Sequence, residues 1–444
     1  MIKSDSRRVK KGDIFVALKG IKSDGHDYIM DAIDNGASKV VVEHGTYPID
    51  TLVVRDTREY LKEYLSSNYK NIFNDMIVIG VTGTNGKTTT AYLLYQALNM
   101  LGIKTSMIGT LGYYRESKVG DLYNTCPDLA MMYELFVDSY NSGYKCIVLE
   151  ASSQGLEEDR LYGIPFDYAI FTNLTHDHLD YHVSMENYAA AKKKLFLQLK
   201  DNGFGIVNVD DPYNYFFDCK NLITYGFGNS DYKIVSSNEE SFTYNDGSDH
   251  FIFHNLVGKY NVYNLMATIV VLKKMGYEYN FIFDVVKKLR SPKGRMEVYN
   301  YLDNRIIVDY AHTPDALEKV ISSVNNYNRI FAVFGCTGNR DRDKRPIMTK
   351  FLLEKCSFVV ITSDDLYDES FESIVSDMLN GIDYNNFSIC SDRGQAISKG
   401  ISMLKSNDVL LVLGKGHEEF IKIGNNRIPF NDGKYILDFI NKSI

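Results

Sequence analysis

The chain has 444 residues, 45% of them hydrophobic and 24% charged, and this length predicts two to four domains. Its formal net charge of −8 argues against a nucleic-acid binder and against a polybasic membrane anchor. The six cysteines are scattered without a CxxC pair, which is typical of reduced thiols in the cytoplasm. The charged N-terminus lacks an apolar leader, and no run reaches the length of a membrane-spanning helix. We therefore expect a cytoplasmic protein without membrane insertion.

The first predicted section covers residues 1–73. Short apolar strands at 13–18 and 39–43 flank a helical stretch, which predicts a small, compact α/β domain.

The second section, residues 74–290, opens with a buried-strand pattern at 76–80, followed by a glycine-rich turn and a helix from about Thr88. Two further buried strands end at Glu150 and at about Asn173. Strands that alternate with helices predict a parallel sheet covered on both faces.

The alternation of polar and apolar residues changes over 221–257, where turn signals predict antiparallel hairpins on the central domain. The third section, residues 291–444, again alternates strands with helices and predicts a second doubly wound domain. Its predicted strands are 305–309, 329–334, 358–362 and 409–413.

Residues 80–89 read GVTGTNGKTT between the predicted strand and helix. Glycines let backbone N–H groups surround phosphate oxygens, and the helix N-terminus adds partial positive charge. We expect Lys87 to reach the β- and γ-phosphates of ATP and the Thr88 hydroxyl to ligate Mg²⁺. Val81 departs from the usual GxxxxGK[ST] spacing, and the alternative is a tight turn that carries a lysine by chance. The predicted ATP-binding residues here are Gly83, Thr84, Asn85, Gly86, Lys87, Thr88 and Thr89.

Two more predicted strands end in residues suited to a cation. One ends at Glu150, and the next leads into the run 173–182, which contains His178. Ligands of open α/β sheets bind beyond the carboxyl ends of the strands, so these side chains are expected to gather near one nucleotide. The alternative for His178 is a solvated loop or a core histidine.

Together, residues 83–88, Glu150 with the following Ala-Ser-Ser, and 173–180 resemble the Mur ligases. The resemblance spans essentially the whole chain. It implies an enzyme that activates a carboxylate as an acyl phosphate with ATP before an amine attacks it. It also implies that Glu150 and His178 help to hold Mg²⁺. The predicted fold class is α/β with three domains: a small N-terminal α/β domain, a central P-loop-type parallel-sheet ATPase domain with antiparallel hairpins, and a C-terminal Rossmann-like domain.

The resemblance also points to the lysine triplet 192–194 in YAAAKKKLF. Lys192 matches a family lysine that is carbamylated by CO₂ and becomes an oxygen ligand for the metal. A buried lysine loses its proton readily, and a hard cation accepts an oxygen ligand. Without the resemblance, the triplet reads as a solvated helix face. The implied metal ligands are Thr88, Glu150, His178 and carbamylated Lys192, and the implied catalytic residues are Lys87, Glu150, His178 and Lys192.

The stretches DSR at 5–7, GDIFVA at 12–17, DGH at 24–26 and NTCPD at 124–128 resemble the subgroup that adds the third amino acid of the peptidoglycan stem peptide. The resemblance implies that residues 1–73 bind the uridine end of a UDP-N-acetylmuramoyl-dipeptide. The implied contacts to this substrate are Ser6, Asn124, Thr125, Asp128, Ser152 and Arg160. Gln154 replaces the histidine of the family's SSH.

Two further groups of positions match ATP-binding residues of the family. The resemblance implies that Asn261 and Asn264 approach the adenine, and that Arg295 and Asp309 close over ATP from the third section. Asparagine offers paired donor and acceptor atoms that suit adenine. Closure would protect an acyl phosphate from water.

The resemblance places the incoming amino acid in the third section. Gly335–Asp341 and GKGHE at 414–418 match its motifs, which implies that Arg340 meets the α-carboxylate and that Gly414 and Glu418 line the pocket, with Glu418 at the distal amine. Enzymes selecting meso-diaminopimelate usually carry Asp-Asn-Pro-Arg, whose arginine clamps the distal carboxylate. Here Asp365 replaces the asparagine and Tyr367 the arginine, which predicts a basic acceptor such as L-lysine or ornithine.

The predicted function is that of an ATP-dependent amide ligase with ATP and Mg²⁺ as cofactors, acting as a monomer. It would add a basic amino acid to UDP-N-acetylmuramoyl-L-Ala-D-Glu in peptidoglycan synthesis, and so contribute to the cell wall, cell shape and division. The alternatives are a Mur-like paralogue with another carboxylate and amine, or a nucleotide-binding subunit without ligase activity.

Overall fold

The computed structural model describes residues 1–20 and 23–443. Its contacts divide the chain into two compact units. The first unit comprises Met1–Val235, Tyr244–Asp249 and Asn264–Val285, and the second comprises Ser236–Thr243, His250–Tyr263 and the chain from Val286 onward. The predicted three domain boundaries stay a prediction.

The N-terminal part of the first unit is a four-stranded parallel sheet, in the order β1-β2-β3-β4. Its strands are β1 (Ile2–Lys3), β2 (Ile14–Val16), β3 (Lys39–Val42) and β4 (Asp50–Val53), and its helices are α1 (Ile29–Asp34), α2 (Thr57–Asn68) and α3 (Lys70–Asp75). Helix α2 begins where the Asp56 carboxylate accepts hydrogen bonds from two backbone N–H groups of its first turn. The predicted strands at 13–18 and 39–43 overlap β2 and β3.

A larger sheet follows in the same unit. Its strands are β5 (Ile77–Thr82), β6 (Thr105–Gly109), β7 (Gly112–Tyr114), β8 (Lys118–Gly120), β9 (Cys146–Glu150), β10 (Phe166–Phe171), β11 (Leu199–Asn208) and β12 (Leu222–Gly226). The order is β12-β11-β10-β5-β9-β6-β7-β8, with parallel pairing from β12 to β6 and antiparallel pairing of β7 with β6 and β8. The helices are α4 (Lys87–Met100), α5 (Leu129–Asn141), α6 (Ser153–Glu157), α7 (Leu179–His182) and α8 (Met185–Lys193).

Strand β5 lies at the centre of this sheet between β10 and β9, and five of its six residues are buried. Continuous apolar strands are typical of parallel sheets covered on both faces, as predicted. The carboxyl ends of β5, β9 and β10 lie side by side, since Val81 pairs with Glu150 and Thr82 with Phe171. This edge therefore collects the phosphate loop and the segments that carry Glu150 and His178.

The chain then forms β13 (Tyr232–Ser237), β14 (Ser241–Asn245), β15 (Asp249–Phe253), α9 (Tyr260–Lys274) and α10 (Tyr279–Val286). One detail of the prediction for 221–257 is wrong, because β13 pairs with β12 in parallel at Tyr225–Tyr232 and Gly226–Lys233. The intervening turn carries the chain back along β12 before the next strand starts, so this pair is not a hairpin.

The second unit contains a six-stranded sheet in the order β16-β17-β21-β18-β19-β20, antiparallel only at β16. The strands are β16 (Glu297–Tyr301), β17 (Asn304–Asp309), β18 (Ile330–Phe334), β19 (Phe358–Ile361), β20 (Phe387–Ile389) and β21 (Val409–Leu413). The helices are α11 (Pro314–Ser322), α12 (Lys344–Lys355), α13 (Phe371–Met378), α14 (Arg393–Ser402) and α15 (Asp432–Ser443), and β22 (Phe420–Ile423) and β23 (Asn426–Pro429) form a hairpin.

Alternate residues of the central strands enter two separate buried clusters. Ile307 and Leu411 belong to one cluster, whereas Ile306 and Leu410 belong to the other. Period-two alternation between two apolar layers means that helices cover both faces of the sheet. The α/β fold class predicted from the sequence is confirmed. Among the described residues, no helix has both the length and the apolar character needed to cross a bilayer.

Candidate active site

The phosphate loop, residues 80–89, connects the end of β5 to the start of α4. Its backbone is fixed from the neighbouring strand end, because Thr84 N–H donates to the Asn173 carbonyl at 2.7 Å. Gly83 has a φ of 145°, and a Cβ there would lie 2.0 Å from the Thr172 Oγ1. Only glycine lets the loop pass this close to the neighbouring strand end.

Two lysines meet at the loop. The Lys87 Nζ donates to the carbonyls of Gly83 at 2.9 Å and Thr84 at 2.8 Å, and the Lys192 Nζ donates to the same Gly83 carbonyl at 2.7 Å. Carbonyl oxygens are neutral, so these bonds position the amines without supplying a compensating charge. The loop therefore combines glycine-rich backbone, a helix N-terminus and a lysine, which is the arrangement that binds polyphosphates.

The buried Glu150 carboxylate lies beside the loop at the end of β9. It accepts a 2.7 Å hydrogen bond from the Thr88 hydroxyl and bonds from the Thr110 N–H and hydroxyl at 2.8 and 3.1 Å. A hydroxyl and a carboxylate oxygen at this distance are the hard donors that Mg²⁺ prefers. The structure thus brings together two of the predicted metal ligands.

The lysine triplet separates into one buried and two outer residues. Lys192 is 1% exposed, whereas Lys193 pairs with Asp218 at 2.5 Å and Lys194 pairs with Glu157 at 2.9 Å. Burial, assisted by the charge of Lys87, holds the pKa of Lys192 well below its ordinary value. The neutral amine needed to capture CO₂ is thereby favoured at Lys192.

His178 is more exposed than the other predicted metal ligands. Its backbone has a φ of 52°, its side chain is 62% exposed, and its Nε2 is 3.5 Å from Asp177. Its ring also meets the Tyr188 ring edge-on, with the centroids 6.3 Å apart. Among the described residues, the His178 side chain contacts Asp177 and Tyr188 and not Glu150, so its role as a metal ligand stays a prediction.

Tyr188 and His182 belong to the site but were not predicted. The Tyr188 hydroxyl is 3.3 Å from the Thr84 Oγ1, and the Lys192 Nζ lies 4.4 Å from the centroid of the Tyr188 ring. The His182 Nε2 is 2.9 Å from the Ser153 Oγ, and its ring stacks obliquely on Tyr188. Tyr188 precedes Lys192 by four residues, the spacing of side chains on one helix face, so this pair was visible in the sequence.

The predicted substrate loop 124–128 is tied to its surroundings at both ends. Asp128 accepts hydrogen bonds from the Ser4 hydroxyl at 2.8 Å and from the first turn of α5. The Thr125 Oγ1 is 3.1 Å from the Thr110 Oγ1, which itself bonds Glu150. The loop that is expected to hold the muramoyl peptide is thus linked through one hydroxyl to the predicted metal ligand.

The other predicted substrate contacts differ in their surroundings. The Arg160 guanidinium is paired with Glu158 and donates to the Cys126 carbonyl at 2.9 Å. The Ser152 hydroxyl caps α6, Asn124 is exposed, and the buried Ser6 accepts a bond at its carbonyl from Asn35.

The predicted nucleotide residues of the later sections fall in different units. In the first unit, Asn264 accepts a 3.1 Å hydrogen bond from the Thr90 hydroxyl at the base of the phosphate loop. In the second unit, the Asn261 Nδ2 donates to the Val257 carbonyl at 2.7 Å. Buried Asp309 accepts the Met296 and Ala311 N–H groups, both at 2.8 Å.

Burial raises the pKa of Asp309, although the nearby Arg295 acts against the increase. The Arg295 guanidinium lies 4.6 Å from the centre of the Tyr310 ring, and its Nε has no protein hydrogen-bond partner among the described residues. Two glycines meet beside them: a Cβ on Gly294 would lie 2.0 Å from the His417 nitrogen, and one on Gly416 would lie 2.7 Å from the Gly294 carbonyl oxygen.

A second charged group, the acceptor cluster, comprises Asp364, Asp365, Lys415 and Glu418. The buried Lys415 Nζ donates to Asp365 at 2.7 Å and to Glu418 at 2.6 Å, and lies 4.0 Å from Asp364. Burial lowers the pKa of Lys415, but the three carboxylates outweigh it and the net shift is upward. The pKa of Glu418 is also raised, because burial and the two aspartates outweigh the bond from Lys415. Arg340 is exposed, and Gly414 approaches Asp364 closely.

A buried ion pair holds the strand ends that lead into this cluster. Arg393 and Asp432 are fully buried and form two hydrogen bonds, both at 2.7 Å. Arg393 also donates to the carbonyls of Ser363 at 3.2 Å and Leu413 at 3.0 Å. These carbonyls immediately precede Asp364 and Gly414, so Arg393 fixes the spacing of the two loops.

Known proteins match the chain along its length. Family models match at residues 1–69 (Mur ligase family, catalytic domain), 81–272 (Mur ligase middle domain) and 294–416 (Mur ligase, glutamate ligase domain).

Individual relatives and a solved structure agree with these matches. The UDP-N-acetylmuramoyl-L-alanyl-D-glutamate–2,6-diaminopimelate ligase of Clostridium perfringens is 38% identical and covers 99% of this chain and 94% of the relative. The ligase of the same description from Aquifex aeolicus is 37% identical over 98% of this chain and 92% of its own length. A solved structure of such a ligase superposes with a TM-score of 0.70 at 31% identity, covering 100% of this chain and 94% of the other. The chain belongs to the Mur ligase family and is an ATP-dependent ligase.

Proposed function

We propose that the protein adds the third amino acid to UDP-N-acetylmuramoyl-L-Ala-D-Glu during peptidoglycan synthesis. The observation that carries the proposal is the similarity to ligases named for this dipeptide substrate over nearly the whole chain, from the first sheet to the GKGHE motif. ATP would phosphorylate one of the two free carboxylates of the D-Glu residue and leave as ADP, and the amine of the incoming amino acid would then displace the phosphate and lose a proton.

The phosphate loop supports the ATP-dependent half of this reaction. Lys87 would exchange its carbonyl partners for the β- and γ-phosphates, where its charge stabilises the transferring group. Mg²⁺ would neutralise phosphate charge when bound, and its protein ligands would be Thr88, Glu150 and carbamylated Lys192, with His178 as a further predicted ligand. The hydroxyl–carboxylate pair and the buried, readily deprotonated lysine fit such an ion.

The acceptor cluster supports an amino acid with an amine at its far end. The Asp365 carboxylate is buried and that of Glu418 is half-buried, and exposed Arg340 remains the predicted partner of the α-carboxylate. Both L-lysine and diaminopimelate carry such a distal amine. We further propose that the enzyme acts as a monomer in the cytoplasm, which sedimentation of the purified protein and fractionation of cells would test.

The experiment is phosphate release from ATP with Mg²⁺, the UDP-muramoyl dipeptide, and L-lysine, ornithine or meso-diaminopimelate as acceptor. The proposal expects release that requires both the dipeptide substrate and one of these amino acids, with a tripeptide product of matching mass. Binding of nucleotide without release for any acceptor would overturn it and favour a paralogue with other substrates or none.

A further inference from the structure

Lys422 is hydrogen-bonded to residues 365–367, the segment in which Tyr367 replaces the family's arginine. The Lys422 carbonyl accepts the Leu366 N–H at 2.8 Å, and its own N–H donates to the Asp365 Oδ1 at 3.0 Å. Its Nζ donates to the Tyr367 hydroxyl at 2.9 Å and lies 3.6 Å from the Asp365 Oδ2. Strand β22 thus brings an ammonium group into contact with Tyr367, although Lys422 is 55 residues away from it in sequence.

The neighbouring acids already have a cation. Lys415 donates to both Asp365 and Glu418, the two carboxylates expected to attract a basic acceptor. Lys422 adds a second positive charge next to Asp365. Because opposite charges in a partly buried cluster cancel much of each other's field, the cluster is far less acidic than the sequence of its loop suggests.

The Lys422 ammonium also has capacity for another partner. An ammonium group has three N–H donors, and the bond to Tyr367 uses one of them while Asp365 lies at the edge of ion-pair range. The Lys422 side chain is 26% exposed, in contrast to 1% for Lys415. Of the two lysines, therefore, Lys422 is the one that a ligand can reach.

We propose that Lys422 is the specificity-determining cation of the acceptor pocket and binds the distal carboxylate of a diamino dicarboxylic acid. The proposal rests on the function proposed above. In related enzymes an arginine at the position of Tyr367 serves that carboxylate; here the Tyr367 hydroxyl orients the Lys422 ammonium instead. A ligand carboxylate at Lys422 completes a charge-assisted contact of the strong kind. The loss of the arginine, taken alone, predicted a preference for a basic acceptor. With Lys422 in place, the expected acceptor is a diamino dicarboxylate.

The same hairpin provides a matched control. Arg427 pairs with Lys422 across β22 and β23, and its guanidinium lies 4.8 Å from the centre of the Phe420 ring. Lys422→Gln and Arg427→Gln each remove one positive charge from neighbouring positions of one hairpin. Only the first change removes the ammonium bonded to Tyr367.

The test measures KM and kcat of phosphate release with meso-diaminopimelate and with L-lysine for both variants and the unchanged enzyme. Loss of a hydrogen bond to a charged group predicts that Lys422→Gln raises the KM for meso-diaminopimelate about tenfold to a hundredfold, with the KM for L-lysine changed less than about threefold. Arg427→Gln should match the unchanged enzyme with both acceptors, and Lys422→Arg should restore most of the preference.

Equal effects of Lys422→Gln on both acceptors, or no effect on either, would overturn the proposal. So would an unchanged enzyme that uses L-lysine and leaves meso-diaminopimelate unused, which would keep the proposed ligase function intact. Absence of release with every acceptor would remove both the ligase function and this role. If Lys422→Gln does not fold, Tyr367→Phe takes its place, with a smaller rise in KM confined to meso-diaminopimelate as the supporting result.

Discussion

In the phosphate loop, Lys87 donates to main-chain carbonyls, whereas in the acceptor cluster Lys415 donates to the carboxylates of Asp365 and Glu418. A carbonyl holds an amine in place and leaves its charge effective, while a carboxylate largely cancels it. The first region is therefore suited to a highly charged anion such as a nucleoside triphosphate. The second region is suited to an amino acid whose own positive and negative groups nearly balance. The partners of each lysine, rather than the number of lysines, indicate the charge of the expected ligand.

The largest effect is expected at the ion pair that frames the acceptor cluster. Arg393→Met leaves the fully buried Asp432 without its partner, which costs about 3–5 kcal/mol of unfolding free energy. Chemical denaturation of the full chain, followed by circular dichroism, would measure the shift. Arg427→Gln on the exposed hairpin is the control and should unfold like the original. A shift as small as that of the control would mean that this ion pair does not hold the strand ends.

Lys87→Met tests the phosphate-loop half of the comparison. Loss of one preorganised positive donor to a transferring phosphoryl group should lower kcat about 10²- to 10³-fold. The KM for the amino-acid acceptor should stay close to its original value, because Lys415 and Lys422 are untouched. An unchanged kcat in phosphate release would contradict the assignment of Lys87.

Lys192 and Lys193 form a matched pair on one helix. Lys192→Met should lower kcat by at least about tenfold to a hundredfold, the range for groups that support a metal site. Lys193→Met should leave kcat unchanged, since Lys193 pairs with Asp218 at the surface. The original enzyme should also lose activity in buffer stripped of CO₂ and regain it with bicarbonate. Equal effects of the two substitutions would remove Lys192 from the predicted metal ligands.

The smallest effect is expected from Glu418→Gln. The carboxylate predicted to meet the distal amine would be replaced by a neutral amide, so the KM for the acceptor should rise about tenfold while the KM for ATP is unchanged. The rise should be similar for L-lysine and meso-diaminopimelate because both carry the amine, in contrast to the selective effect of Lys422→Gln. A rise in the KM for ATP would contradict the separation of the two regions into an ATP site and an acceptor site.

Local sequence predicted the phosphate loop well because strand, turn and helix are consecutive. The apolar run, the glycines and the lysine all lie within a few residues, and the structure has β5 and α4 at the expected places. The fold class followed from the same alternation of strands and helices.

What the sequence could not supply depends on burial and on distant pairing. Three consecutive lysines look alike in sequence, and only the packing of α8 distinguishes buried Lys192 from its neighbours. The proximity of Lys422 to Tyr367 depends on how the β22 hairpin meets the loop at 364–367. The loop sequence around Tyr367 therefore predicted an acidic pocket, whereas the structure places two lysines, Lys415 and Lys422, beside its carboxylates.

The contact between Gly294 and Gly416 has a consequence for how the protein tolerates mutation. A side chain at Gly294 would overlap the backbone at Gly416 and His417, and one at Gly416 would overlap the Gly294 carbonyl and Tyr310. Both positions also have a positive φ, of 65° and 53°. Replacing one glycine cannot relieve the other, since the nearest obstacle at each position is main chain. In a library of all single and paired substitutions, the two positions should behave as one locus, with survivors restricted to glycine at both.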